Sequence, residues 1–166
     1  MKHGIFIMIP LLFALSSFPG LAAEHDPCKG ENTALIIDTT SHTMWMCQKS
    51  YAIAKFRVSI GQCGVGKRGK GDKKTPLGEY DLGLPRPSGK FRLFIPIGYP
   101  NAEQSSKGYT GGDIGIHGPH RKSLWLGKDS AEVDWTHGCI AVGTDEDISV
   151  VAQWVNDQAV EKVIIR

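Results

Sequence analysis

A cysteine within a short run of small and polar residues is the feature of this sequence that most clearly suggests chemistry. The run Thr136–Ile140 reads Thr-His-Gly-Cys-Ile, and a separate His117-Gly118 pair precedes it in the chain. A thiol becomes an effective nucleophile when a neighbouring imidazole accepts its proton. Gly118 and Gly138 let the backbone come close to other groups at both motifs. The two motifs therefore predict a thiol nucleophile with a histidine base.

The segments that must position these residues are mostly predicted strands. Apolar runs and alternating patterns, separated by glycine-rich turns, indicate a mainly β domain. The predicted strands are 34–38, 43–47, 54–60, 79–84, 91–97, 113–117 and 162–166. The segment 113–117 would be a buried strand that delivers His117 to the end of a sheet. In 54–60, we expect Phe56, Val58 and Ile60 to face a core and the polar residues, Ser59 among them, to face water.

One helix is predicted near the C-terminus. Thr144 can cap it, and the acidic run Asp145–Asp147 would occupy its first turn, where negative charge complements the helix dipole. Apolar residues then recur at three- and four-residue spacing, at positions 148, 151, 152 and 155. The expected architecture is a β-sandwich or partial barrel with one C-terminal helix.

The N-terminal segment 1–23 has the layout of a secretory signal peptide. A short basic start precedes an apolar stretch, and cleavage after Ala22 fits the small-residue rule better than cleavage after Ala23. The apolar stretch is short for a bilayer span of about 20 residues. We therefore expect an exported protein with no stable membrane anchor after cleavage, and residues 24–166 as a single catalytic domain.

Composition excludes one class of partner. The chain has 19 Lys and Arg against 17 Asp and Glu, a formal net charge of +2. Such a balance produces no strong field that favours nucleic acid, and export also argues against a nucleic-acid partner.

At the motifs described above, the sequence resembles the L,D-transpeptidases of the YkuD type. The signature of that family is His-Gly, a variable stretch, and then Ser/Thr-x-Gly-Cys with a following aliphatic residue. The segment Thr75–Gly78 resembles the Thr-Pro-x-Gly turn of the family, and 35–38 resembles its opening strand. The resemblance covers nearly all of the chain after residue 23 and implies the same YkuD-like fold.

The resemblance also implies a role for each residue of the motifs. His117 would be the base that deprotonates Cys139, and the carbonyl of Gly118 would orient the imidazole. Backbone amides around His137, Gly138 and Cys139 would form the oxyanion hole. The His137 side chain would be auxiliary, because the family varies that position.

The implied activity is that of an exported cysteine acyltransferase in the periplasm or cell envelope. Cys139 would attack a peptidoglycan stem peptide between diaminopimelate and D-Ala, and an amine of another stem would capture the thioester. Two alternatives stay open. One is a hydrolase on the same fold, such as an L,D-carboxypeptidase or an amidase that releases a lipoprotein from peptidoglycan. The other is a non-catalytic peptidoglycan-binding module.

Ala141 departs from the family pattern, because many members have arginine two residues after the cysteine. Alanine supplies neither charge nor bidentate hydrogen bonds. Arg121 or Lys122, between the two motifs, could provide a replacement cation for substrate binding.

Metal and nucleotide sites are disfavoured, and no cofactor is expected. Residues His117, His120, His137 and Cys139 could in principle ligate zinc, but their spacing matches no common structural zinc site. The segment 61–67 begins like a phosphate-binding P-loop, but an arginine follows where serine or threonine must hold magnesium. We interpret 61–74 as a glycine- and lysine-rich loop that borders the substrate groove.

The remaining cysteines can form a disulfide in an oxidising compartment. If 34–38 and 43–47 form a hairpin, Cys47 lies near Ala34, and a turn can bring Cys28 back to it. We therefore expect a Cys28–Cys47 disulfide with Cys63 left over. A Cys28–Cys63 bridge is the rival pairing.

Overall fold

The computed structural model describes residues 26–166, so the predicted signal peptide lies outside the described residues. Nine strands form one strongly curled sheet in the order β4-β9-β1-β2-β3-β8-β7-β6-β5. Their bounds are β1 Thr33–Asp38, β2 Thr43–Gln48, β3 Tyr51–Ser59, β4 Gly78–Asp81, β5 Arg86–Ser88, β6 Arg92–Pro96, β7 Gly115–His117, β8 Ile140–Val142 and β9 Lys162–Ile165. The expected fold class, a mainly β partial barrel with a C-terminal helix, is confirmed.

The helices are fewer and lie between strands. They are α1 Ala102–Ser106, a kinked 3-10 segment Arg121–Ala131, and α2 Asp145–Asp157. Helix α2 begins as predicted, because Thr144 Oγ1 accepts a hydrogen bond from the Asp147 amide at 3.0 Å. None of the helices between Asp26 and Arg166 is both long enough and apolar enough to cross a lipid bilayer.

The core lies between the curled sheet and α2. The apolar stripe of α2, which the sequence spacing predicted, is buried at Ile148, Val151, Ala152 and Val155. These side chains join one cluster with residues from β1, β2, β7 and β8, among them Leu35, Met44, Ile116, Ile140 and Val142. The strands that carry the predicted site are thus held by the main core of the domain.

The alternation expected in β3 holds except at Ser59. Val58 and Ile60 are buried as predicted, but Ser59 is also buried. The cause is the partner strand: Ser59 pairs with Ala141 of β8, and its hydroxyl accepts a hydrogen bond from the Trp135 amide at 3.2 Å. Alternation predicts that Ser59 is exposed to water, but the segment that leads to Cys139 covers it.

The hairpin register explains the disulfide. Strands β1 and β2 pair with Ala34 opposite Cys47, and Cys28 reaches Cys47 with a Cα–Cα distance of 5.3 Å. The Cys28–Cys47 pairing preferred from the sequence is therefore present, and both cysteines are buried beside Ile36. Cys63 is an exposed free thiol, so the rival bridge is absent from this structure.

Candidate active site

Two adjacent parallel strands bring His117 and Cys139 together. Ile116 pairs with Ile140, and His117 pairs with Ala141. Cys139 immediately precedes β8 and lies two residues before Ala141. Because side chains alternate along extended chain, Cys139 and His117 project toward the same side of the sheet. Both side chains line one cavity of about 380 Å³.

Gly115 and Gly118 make room around the histidine. The Gly115 position lies beside Cys139 in the strand pair, and a Cβ there would collide with the ring of Phe94. At Gly118, a Cβ would lie 2.9 Å from the carbonyl oxygen of Phe91 and 2.9 Å from Ile148. Close packing therefore requires glycine at both positions. The role expected for the Gly118 carbonyl, to orient the imidazole of His117, depends on this packing.

The imidazole of His117 is held in one orientation. Its side chain is almost completely buried, and Nδ1–H donates to the carbonyl of Gly118 at 2.7 Å. Phe91 stacks on the ring with centroids 3.9 Å apart, and Trp135 lies at 5.6 Å. Because Nδ1 carries the proton, Nε2 is left as the nitrogen that can accept one.

The turn before β8 is held by the hydroxyl of Thr136. This hydroxyl donates to the carbonyl of Cys139 at 2.7 Å and accepts from the Gly138 amide at 3.1 Å. Gly138 has φ +119°, and a Cβ there would lie 2.5 Å from the carbonyl of Lys74. Glycine is needed at this position for both reasons.

This geometry refines the expected oxyanion hole. The Gly138 amide is already bonded to Thr136, so the amides that remain candidates are those of His137 and Cys139. The His137 side chain is exposed and lines the cavity, and its auxiliary role stays a prediction.

Burial keeps both reacting groups neutral at rest. It lowers the pKa of His117 to about 4, with a smaller opposing effect from the Gly118 carbonyl. Burial also raises the pKa of the Cys139 thiol to about 11, and the Asp113 carboxylate adds to this increase. The thiol donates to the Asp113 carbonyl at 3.5 Å. The cavity therefore holds a neutral thiol and a neutral imidazole at rest.

Two cavities reach the thiol. The first is the 380 Å³ cavity with His117 and Trp135, and the second, of about 500 Å³, is lined by the 86–91 segment, Phe94 and Asp113. Both include Cys139, and both include Lys90 and Phe91. Two concavities therefore meet at the Cys139 side chain.

The two cations expected near the site lie elsewhere. Arg121 donates from Nη2 to both carboxylate oxygens of Asp145 at 2.7 Å, at the start of α2. Lys122 is exposed, and neither residue lines the cavities that border Cys139. Ala141 is buried in β8, opposite Ser59 and His117. Within residues 26–166, no three His, Cys, Asp or Glu side chains converge to hold a metal ion.

Sequence reasoning missed the aromatic walls of the site. Phe91 and Trp135 flank His117, but neither carries a motif, and Phe91 comes from a loop distant in sequence. The only aromatic signal next to a motif is Trp135, which directly precedes Thr136. The 140–142 strand was also missed, because three residues show no periodicity.

A family model describes most of this chain. The model for the YkuD L,D-transpeptidase catalytic domain matches residues 32–165. The chain belongs to the YkuD family of L,D-transpeptidase catalytic domains. A search of curated protein sequences found no match.

Solved structures agree with this family assignment. The helical cell shape determining protein Pgp2 from Campylobacter jejuni is similar at 25% identity and a TM-score of 0.65, over 81% of this chain and 47% of that one. Bd1075 from Bdellovibrio bacteriovorus shares the fold at 19% identity and a TM-score of 0.59, over 81% of this chain and 48% of that one.

An L,D-transpeptidase from Mycobacterium smegmatis also shares the fold. Its identity is 15% and its TM-score 0.52, over 81% of this chain and 58% of that one. The present YkuD-family chain therefore spans about half the length of the solved proteins it matches.

Proposed function

We propose that this protein is an L,D-transpeptidase that acts on peptidoglycan stem peptides outside the cytoplasm. One observation carries the proposal: His117, with Nδ1–H bonded to the Gly118 carbonyl, shares a cavity with Cys139. Its family membership supplies the substrate class. The residue roles expected from the sequence are kept, with the amides of His137 and Cys139 as oxyanion donors.

The first half-reaction forms a thioester. The Cys139 thiol transfers its proton to Nε2 of His117 while sulfur attacks the carbonyl carbon between diaminopimelate and D-Ala. The oxyanion is stabilised by the backbone amides of His137 and Cys139. Collapse breaks the C–N bond, and D-Ala leaves as the amine with the proton from His117.

The second half-reaction transfers the acyl group. An amine of another stem attacks the thioester carbon, and His117 accepts a proton from that amine. Collapse breaks the C–S bond, and the Cys139 thiolate leaves and takes the proton from His117. The two cavities at Cys139 provide room for both stems.

Hydrolysis on the same site remains a second candidate because of Ala141. This residue is buried and uncharged, so it offers nothing to hold an acceptor, and Arg121 is paired with Asp145. If the acceptor amine binds weakly, water completes the second half-reaction, and the product is a tripeptide.

Product analysis distinguishes these outcomes. The protein is incubated with tetrapeptide muropeptides, and the products are weighed by mass spectrometry, with Cys139→Ala as the control. Cross-linked dimers support transfer, and tripeptides support the hydrolase alternative. Unchanged substrate that is retained by the protein would contradict both and favour a binding module.

Export remains part of this proposal. The predicted signal peptide, 1–23, lies outside the described residues, and the single catalytic domain, 24–166, stays a prediction. The Cys28–Cys47 disulfide supports an oxidising compartment such as the periplasm. N-terminal sequencing of the secreted protein checks the expected cleavage after Ala22.

A further inference from the structure

The strongest concentration of positive charge lies beside the nucleophile turn. The segment 67–74, which we call the basic loop, has five basic residues and one acidic residue, Asp72. The loop borders a cavity of about 660 Å³, lined by Lys67, Lys70, Gly71, Lys73, Gly111, Gly112, Asp113 and His137. This cavity is separate from the two that contain Cys139, and it adjoins them at Asp113 and His137.

Asp72, the only acidic residue of the basic loop, accepts hydrogen bonds from other residues of the loop. One oxygen of Asp72 bonds to Lys67 Nζ at 2.7 Å, and the other accepts the amides of Arg68 and Gly69 at 2.8 and 2.9 Å. These donors hold the pKa of the Asp72 carboxyl well below its usual range, against the opposing effect of burial, which is the largest single contribution. Asp72 is therefore ionised and serves to fold the loop.

Lys67 is the internal anchor of the same loop. Its side chain is 3% exposed, and Nζ donates to Asp72 and to the carbonyl of Gly69 at 3.0 Å. The ammonium also lies 5.8 Å from the centre of the Tyr99 ring. The buried ammonium of Lys67, with its ion pair and further hydrogen bonds, fixes the shape of a loop whose glycines would otherwise allow many conformations.

A second loop closes the other side of the cavity. The Thr110 amide donates to the Arg68 carbonyl at 2.9 Å, and the Lys70 amide donates to Thr110 Oγ1 at 3.1 Å. A Cβ on Gly111 would lie 3.3 Å from Lys70 Cα, so the two loops are in close contact. The cavity is therefore built by paired loops.

Two ammonium groups at this cavity have no anionic partner within residues 26–166. Lys70 and Lys73 are exposed and form no salt bridge there. Asp113 supplies one carboxylate at the edge toward the thiol. The cavity is thus concave, cationic and adjacent to the nucleophile, but it lacks the aromatic walls of the 380 Å³ cavity.

We infer that this cavity is a carboxylate subsite, in which Lys70 and Lys73 bind a free carboxylate of the peptide substrate next to the bond that Cys139 attacks. The inference rests on the proposed function for the substrate class. It assigns the positive charge that the sequence placed at Arg121 or Lys122 to Lys70 and Lys73 instead. Lys67 is a positioning residue, because its ammonium is already bound within the loop.

The test measures binding rather than turnover, so that it does not depend on the chemistry. In the Cys139→Ala protein, calorimetry gives the Kd of a stem tetrapeptide with and without Lys70→Gln/Lys73→Gln. Exposed ion pairs are individually weak, so we expect the double substitution to raise Kd by about five- to tenfold. The matched control, Lys29→Gln/Lys49→Gln, removes the same charge from exposed lysines far from the cavity and leaves Kd unchanged.

Amidated peptides identify the carboxylate. One peptide is amidated at the terminal D-Ala carboxylate, and another at the side-chain carboxylate of diaminopimelate. The peptide that lacks the recognised group should bind the parent Cys139→Ala protein weakly, and Lys70→Gln/Lys73→Gln should not weaken it further. Equal Kd values for the two lysine variants, or no tetrapeptide binding at all, overturn the subsite.

Turnover by the protein with Cys139 intact separates this inference from the proposed function. If the double lysine substitution weakens binding but no stem peptide is turned over, the subsite stands and the transpeptidase proposal fails. If stem peptides are turned over and the KM is the same for both lysine variants, the subsite fails and the proposed function stands.

Discussion

The two halves of the sheet are built differently. Strands β4, β9, β1, β2 and β3, which we call the stapled half, include strands of six to nine residues and carry the Cys28–Cys47 disulfide. Strands β8, β7, β6 and β5, the catalytic half, have only three to five residues each. Long ladders and a covalent link stabilise one half, whereas the other depends on side-chain hydrogen bonds and close glycine packing.

This difference separates the part of the sheet that stabilises the fold from the part that carries the candidate active site. The catalytic half places His117 at the end of β7 and Cys139 immediately before β8, and Thr136 lies in the turn that leads to β8. Its own ladders are too short to be stable alone, since isolated short strands are marginal in water. Substitutions in the catalytic half should therefore affect turnover first, and substitutions in the stapled half should affect unfolding first.

The largest expected effect is at His117. His117→Ala removes the proposed base for the Cys139 thiol, and turnover should fall by about 10²–10⁴-fold. His137→Ala should cost clearly less, because that side chain is exposed and is not needed for proton transfer. Steady-state kinetics of the two variants gives the ranking, and the reverse ranking would mean that His137 is the base.

Removal of the disulfide tests whether the stapled half determines the stability of the fold. Cys28→Ala/Cys47→Ala removes a bridge of sequence separation 19, which should lower the free energy of unfolding by about 3 kcal/mol. The kcat of the molecules that remain folded should not change. Chemical denaturation measures the first quantity, and Cys63→Ala is the control because that thiol is exposed and free. A large loss of kcat without a loss of stability would contradict the expectation that the stapled half determines stability and the catalytic half determines turnover.

The two halves of the sheet also differ in how much of their structure could be predicted from the sequence. In the stapled half, alternation and the hairpin pattern located β1, β2 and most of β3, and the register led to the disulfide. In the catalytic half, the motifs identified His117 and Cys139, but β8 is too short to show a period. The burial of Ser59 and the pairing of Arg121 with Asp145 depend on contacts between segments far apart in sequence, which periodicity does not encode.

Acid should destabilise the protein through His117. The pKa of this residue is lowered from 6.5 to about 4 in the fold, so the unfolded chain binds a proton first as the pH falls. Stability is therefore complete above about pH 6.5 and decreases toward pH 4, by up to about 3 kcal/mol from this residue. His117→Gln should remove that part of the slope, as measured by urea unfolding at several pH values. An unchanged slope would show that the imidazole is not buried in neutral form.

The smallest of these effects is expected at Thr136. Thr136→Val keeps the shape but leaves the Gly138 amide without its buried acceptor, and this should cost about 1–3 kcal/mol of stability. Turnover should also fall, because the turn that carries Cys139 loses its fixed geometry. Thr136→Ser retains the hydroxyl and should behave nearly like the parent protein. If valine and serine have the same effect, the hydroxyl does not hold the turn.

Mass mapping of the acylated protein tests the central claim most directly. The protein is incubated with a stem tetrapeptide, quenched in acid, digested and analysed for the peptide that contains Cys139. The account predicts that this peptide gains the mass of the stem without its terminal D-Ala, that hydroxylamine removes the adduct, and that Cys139→Ala abolishes it. An adduct on another residue, or turnover that persists in Cys139→Ala, would contradict Cys139 as the nucleophile.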